Sequence, residues 1–220
     1  MSGATHPPLP VVVLISGNGS NLQALIDAFR GQDAPVKICA VISNRPHAHG
    51  LDRARRAGIA VHVVDHQAFP DRVSFDRALQ AAIDAYNPGL VVLAGFMRIL
   101  TEGFVHHYLG RMVNIHPSLL PNFQGLDTHQ RVLDSGMQEH GASIHFVTPQ
   151  LDGGPVIMRA HVEVKPEDDP QTLAARVLQE EHRIYPEVLR LFAAGRVRLN
   201  DNQALLDGVA VPQLPKQPKG

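Results

Sequence analysis

Hydrophobic positions along the 220-residue chain fall into two kinds of run. Short, mostly β-branched blocks are apolar almost without interruption: VVVLIS (11–16), VKICAVIS (36–43), AVHVVD (60–65), LVVLAG (90–95) and RMVNIH (111–116). Continuous apolar character over four to eight residues predicts strands buried on both faces. Helical stretches lie between them. NLQALIDAFR (21–30) follows Ser20, a predicted N-cap, and ends at Gly31. GLDRARRAG (50–58) is short, FDRALQAAIDAYNPG (75–89) stops at Asn87-Pro88, and RILTEGFVHHYLG (98–110) is interrupted by Gly103. This alternation predicts an α/β fold: a doubly wound, mainly parallel twisted sheet with helices on both faces.

The pattern changes after residue 116. GASIHFVT (141–148) and PVIMRAHVEV (155–164) read as two strands of an antiparallel hairpin joined through PQLDGG. A long C-terminal helix follows, with Asp169 as N-cap, Pro170 at its first position, a kink at Pro186 and an end at Gly195. The expected organisation is one domain over residues 1–220, with flexible tails at 1–8 and 212–220.

Composition narrows the partners. The formal net charge is -1, so no global field draws in nucleic acid or an anionic membrane. No apolar run reaches the roughly 18 residues of a spanning helix, and MSGATHPPLP does not read as a secretory signal. The single cysteine, Cys39, fits a reducing cytoplasm and reads as a small buried hydrophobe. The expectation is a cytoplasmic protein acting on small molecules, as a monomer or homodimer.

Ligands of open α/β sheets bind beyond the carboxyl ends of the strands, and three features fall at such ends. SGNGSN (16–21) joins the first strand to the first helix, where glycines and helix N–H groups make a phosphate cradle. It is neither a dinucleotide fingerprint, because Leu22 replaces the third glycine, nor a P-loop. It therefore suits a mononucleotide or sugar phosphate. AGFMRIL (94–100) follows the fourth strand; on pattern alone it reads as a helix start packed on the sheet. The third feature is MVNIHPSLLP (112–121). Asn114 and His116, at i and i+2 of a strand, point to one side just where Pro117 ends it. An amide can donate to an oxyanion and an imidazole can exchange protons near neutrality. Asp152, in the glycine-bearing loop LDGGP, can complete the set or serve only as a turn-former. No GxSxG elbow supplies a nucleophile, so the attacking group belongs to a substrate. The histidines of HAH, HH and THQ match no zinc spacing, and no metal is expected.

Together, LISGNGSNLQALID, VVLAGFMRIL, NIHPSLLP, EHGASIHFV and LDGGPVI resemble the folate-dependent formyltransferases, and within them the phosphoribosylglycinamide formyltransferase family of purine synthesis. The resemblance runs from about residue 9 to 208 and implies a Rossmann-like formyltransferase fold. It implies formyl transfer from 10-formyltetrahydrofolate to the amine of phosphoribosylglycinamide. Gly19, Ser20, Asn21 and Glu181 match substrate-binding positions. Arg72, Met97, Arg98, Ile99, Leu100 and Asn114 match positions toward the formyl-folate, which favours the binding reading of FMRIL over the packed helix start. Asn114, His116 and Asp152 match the catalytic trio, and a cis Leu120-Pro121 bond is implied. The formyltetrahydrofolate hydrolases resemble this core but usually add an N-terminal regulatory domain. The methionyl-tRNA formyltransferases add a C-terminal RNA-binding domain and lack the phosphate loop. The chain is expected to have room for neither. Many relatives read GLHTH where this chain reads GLDTH, so Asp127 is expected beside the trio, either adding a like charge near Asp152 or pairing with His116.

Overall fold

A computed structural model describes residues 7–216. Five strands and four helices alternate first: β1 (Leu9–Ile15), α1 (Ser20–Ala28), β2 (Val36–Ser43), α2 (His49–Arg56), β3 (Ala60–Val63), α3 (Arg72–Asp84), β4 (Leu90–Leu93), α4 (Glu102–His107) and β5 (Met112–His116). Then come α5 (Thr128–Ser135), β6 (Glu139–Phe146), β7 (Val156–Glu163), α6 (Pro170–Ala193), β8 (Val197–Asn200), β9 (Gln203–Leu206) and β10 (Val209–Ala210). The main sheet has seven strands in the order β3-β2-β1-β4-β5-β6-β7. It is parallel from β3 to β5, and β6 and β7 extend it antiparallel from the β5 edge. The expected hairpin is thus part of the same sheet. A separate antiparallel sheet, β10-β9-β8, was not anticipated.

The uninterrupted apolar runs of β1 and β4 have the predicted cause, whereas β3, expected to be buried on both faces, is an edge strand and largely exposed. Val11, Val13 and Ile15 of β1 pack into one core with α1, α2 and α6, while Val12 and Leu14 pack into a second core with α3 and α4. Each fully buried Val, Leu or Ile stabilises the fold by about 1.5–3 kcal/mol. On β5 the two faces diverge: Val113 and Ile115 join the first core, whereas only Met112 joins the second. Past Met112 that face carries Asn114 and His116 instead of apolar side chains, and this gap in the core is where the site forms.

Four expectations are corrected. Ser20 is the first residue of α1; its N-cap is Gly19, in the left-handed region at φ 72, with no side-chain cap. Residues 96–101 form no helix, because α4 starts only after Thr101, whose hydroxyl accepts from Phe104 N while its own N–H is held by Asp76. α5 fills a stretch assigned no element. Pro212 and Gln213 are not loose: Gln213 bonds both N–H and C=O of Val156 at 3.0 Å. Residues 1–6 and 217–220 of the expected tails lie outside the described residues. At the C-terminal helix Asp169 forms the expected cap, as a capping box, and α6 runs on through Pro186.

Buried histidines make stability depend on acidity. His140 is fully buried, its Nε2 3.0 Å from Nδ1 of His129. Burial first, then the nearby His129 and His116, lowers its pKa from 6.5 to about 4. Between those values the unfolded chain binds more protons than the folded one, so stability falls with falling pH. The melting temperature is expected to decline between pH 6.5 and about 4. His140→Asn should flatten part of that slope in thermal melts, and parallel slopes for the two proteins would remove His140 as a cause.

Candidate active site

β1 lies at the point where strand order reverses, between β2 and β4, the usual place for a ligand in such sheets. The ends of these strands are tied together. Ser16 Oγ donates to Asn44 Oδ1 at 2.6 Å and accepts from Met97 N at 2.7 Å. The loop that follows, Gly17 to Gly19, leads into α1, whose first-turn N–H groups lack intrahelical acceptors. A Cβ on Gly19 would sit 2.7 Å from Gly50 Cα, so the loop rests on α2 in direct backbone contact. Arg53 holds it from α2, donating to Asn18 O at 2.8 Å and to Asn18 Oδ1 at 3.1 Å.

Asn21, one turn into the cradle, donates to Glu181 Oε2 of α6 at 2.7 Å. Burial pushes the Glu181 carboxyl above its ordinary range, and the Asn21 bond opposes that rise. Asn21 Oδ1 is buried and has no partner among the described residues. An orphaned acceptor beside a carboxylate suits a ligand rich in donors, such as hydroxyl groups. The structure thus brings Glu181 against Asn21, next to Gly19 and Ser20 in the chain.

The second part of the site sits at the β5–β6 junction. His116 is buried; its Nδ1 is 3.5 Å from Asp152 Oδ2, and its Nε2 is 3.0 Å from the Phe123 carbonyl. Asp152 adopts φ 46, in the left-handed region, and its Oδ2 accepts from Gly125 N at 2.9 Å. The glycine two residues on makes the turn possible, since a Cβ on Gly154 would meet Phe146 O at 1.8 Å. Asn114, His116 and Asp152 are therefore neighbours. The Leu120-Pro121 bond is cis, as the resemblance implied.

His145 was missed. It is the cross-strand partner of Asn114 in the antiparallel β5–β6 pair. Its Nε2 lies 3.2 Å from Asn114 Nδ2 and 3.8 Å from Asp152 Oδ1, while Nδ1 lies 2.9 Å from the Phe146 carbonyl. Burial holds its pKa well below the ordinary value, so the ring is neutral at pH 7. A neutral ring donating Nδ1–H to Phe146 O leaves an Nε2 lone pair for Asn114. That fixes the amide with its NH2 group toward the imidazole and a second N–H to spare. The signal in the sequence was the same one that singled out His116: an imidazole inside an apolar strand.

Beside this second part lies an apolar pocket lined by Leu93, Phe96, Arg98, Ile99, Leu100, Val105 and Val147, with Asn114, His145 and Asp152 at one wall. Arg98 covers the Phe75 ring at 4.5 Å. Met97 is 61% exposed and does not line this pocket, nor does Arg72, on the exposed first turn of α3. Asp127 is exposed at the start of α5, and among the described residues the ion-pair partner of His116 is Asp152. A larger groove of about 880 Å³, beside α1 and α2, contains none of the trio. Among the described residues no group of three or more His, Cys, Asp or Glu side chains is disposed to hold a metal, and no helix is long and apolar enough to cross a membrane.

A glycine loop opening a helix, an amide and carboxylate–imidazole cluster, and an apolar pocket beside that cluster lie at one end of an open α/β sheet, the arrangement of a small-molecule enzyme. Residues 9–189 match the formyl transferase family, and the chain belongs to it. It is 54% identical over 202 residues to the phosphoribosylglycinamide formyltransferase of Escherichia coli strain K12, covering 92% of this chain and 95% of that one. Identity to the protein of the same name from Haemophilus influenzae is 44%, over 92% of this chain and 96% of the relative. The solved phosphoribosylglycinamide formyltransferase of Coxiella burnetii, in complex with CHES, superposes with a TM-score of 0.90 at 55% identity, covering 94% and 97% of the two chains.

Proposed function

We propose that this single-domain chain transfers the formyl group of 10-formyltetrahydrofolate to the glycinamide amine of 5'-phosphoribosylglycinamide, a step of de novo purine synthesis in the cytoplasm. The observation that carries this reading is that the glycine loop opening α1 and the Asn114, His116 and Asp152 cluster lie at the same end of the sheet, with an apolar pocket against Asn114 and Asp152. Relatives bearing that enzyme's name, alike along nearly their whole length, support it. In this reading Gly19, Ser20 and Asn21 hold the phosphate and its neighbours, and Glu181 faces the ribose. The pterin lies against the segment Met97 to Leu100. Arg72, outside the pocket, suits the donor's anionic end.

The amine attacks the formyl carbon on N10. The tetrahedral carbon's oxyanion is met by the free N–H of Asn114 and, once His116 Nε2 turns from the Phe123 carbonyl that it faces at 3.0 Å, by the His116 imidazole. As the carbon–N10 bond breaks, one proton leaves the amine and one reaches N10, giving the formamide and tetrahydrofolate. Asp152, 3.5 Å from His116, orients the imidazole and relays the proton through water. The test mixes 10-formyltetrahydrofolate with glycinamide ribonucleotide and follows deformylated folate. Turnover should require the nucleotide, and formate release without it would replace this reading with hydrolysis.

The cradle has its own prediction. Gly19→Ala combines a left-handed φ with a contact of 2.7 Å. A displacement costing about 1.4 kcal/mol of binding raises KM for the nucleotide roughly tenfold. Steady-state kinetics should show that rise with the KM for the folate unchanged.

A further inference from the structure

The loop after β5 carries groups that touch both His116 and Asp152. Its Phe123 carbonyl is 3.0 Å from His116 Nε2, its Gly125 N–H donates to Asp152 Oδ2 at 2.9 Å, and Gln124 Nε2 donates to the Asp152 carbonyl at 2.9 Å. Whatever sets this loop's position therefore sets the distance between imidazole and carboxylate.

Leu120 is where the loop is gripped. Its N–H donates to Ser143 Oγ at 3.0 Å, and its carbonyl accepts from Arg159 Nε at 3.1 Å and from Nη2 at 3.0 Å. Ser143 of β6 and Arg159 of β7 are cross-strand partners, so one rung of the sheet holds the peptide from both ends. Arg159 has no carboxylate partner in the described residues. Its remaining bonds run to the C-terminal segment: Nη1 to the Pro212 carbonyl at 3.1 Å and Nη2 to Gln213 Oε1 at 3.4 Å. Gln213 is itself pinned to Val156 in both directions. A planar guanidinium between two carbonyls and an amide is rigid in a way that lysine's single ammonium is not.

The geometry points to Arg159 and Gln213 as positioning residues for the formyl transfer proposed above: the C-terminal segment is a strap that, through the Arg159 fork, fixes the Leu120 peptide and with it the His116–Asp152 pair. Neither residue lines the apolar pocket that carries Asn114 and His145. The strap acts on the chemical step and leaves the phosphate cradle, on the other side of β4, unaffected.

The test uses full-length Arg159→Met, Arg159→Lys, Gln213→Ala and the double variant Arg159→Met/Gln213→Ala. Small misplacements in a reacting constellation cost up to about 10²-fold, so Arg159→Met should lower kcat roughly tenfold or more with KM for the nucleotide unchanged. Lysine should restore part of the rate. Gln213→Ala should cost less, and the double variant no more than Arg159→Met, because both act along one path. Amide hydrogen exchange at Leu120, Asn122 and Gly125 should quicken by a similar factor while β1 and β4 stay protected. Unchanged kcat and exchange in Arg159→Met would overturn the inference. So would faster exchange across the whole sheet with lysine no better than methionine, which would make Arg159 a general structural residue. Wild-type protein that transfers no formyl group would defeat the function instead, and the exchange measurements would still decide the strap.

Discussion

Asp152→Asn is expected to lower kcat about 10²–10⁴-fold, the usual worth of a positioned acid–base group. The reason is local. The carboxylate lies between two imidazoles, 3.5 Å from His116 Nδ1 and 3.8 Å from His145 Nε2, and only one of its bonds, from Gly125 N, is to a backbone donor. An asparagine of the same size can keep the Gly125 bond through its oxygen, so the loop should stay in place and KM for the nucleotide should change little. What is lost is the group that orients His116 and passes the amine's proton. A profile of kcat against pH decides it. Wild-type rates in Asp152→Asn across the whole range would mean that the carboxylate takes no part and that His116 works alone.

Asn114→Ala should cost about 10²–10³ in kcat, the range found when one oxyanion donor is removed. Asn114 is half-buried at the pocket wall, its Nδ2 3.2 Å from His145 Nε2. Truncation removes the donor and also strands the His145 lone pair, so the two costs add. Single-turnover measurements with both substrates bound should place the whole loss on the chemical step. If the loss instead appeared as weaker folate binding at an unchanged rate, the amide would be a ground-state contact and the oxyanion role would fail.

The doubly wound half of the fold was legible because β4 and most of β1 and β2 are buried on both faces and apolar along nearly their whole length. The cradle was legible for a related reason: glycines between a strand and a helix have few uses. Other parts left weaker traces. α5 contributes only Thr128 and Val132 to the interior, too narrow a stripe to announce a helix after the left-handed Asp127. The segment 96–101 reads as helical, yet Asp76, buried far earlier in the chain, takes the Thr101 N–H and decides where α4 begins. His145 acquires meaning only from the antiparallel register that sets it opposite Asn114. Arg72 is the reverse case: it matches a family position but lies outside the pocket, while Asp127, where many relatives carry histidine, lies at the surface. Arg159 and Gln213 are ordinary polar residues until Pro212 and Gln213 are seen lying against β7.

The antiparallel addition of β6 to β5 has a consequence for how this enzyme tolerates change. Asn114 and His116 pair with His145 and Ser143, and the alternate positions, Val113, Ile115, Ile144 and Phe146, belong to the first core. A shift of one residue in either strand exchanges its faces, sending polar side chains inward and apolar ones out. Insertions or deletions within these strands cannot yield a folded protein with a mildly displaced site; the same event that disarms the chemistry also destroys the core. Sequence drift in β5 and β6 is therefore confined to substitutions, and length variation is expected in the loops that connect them.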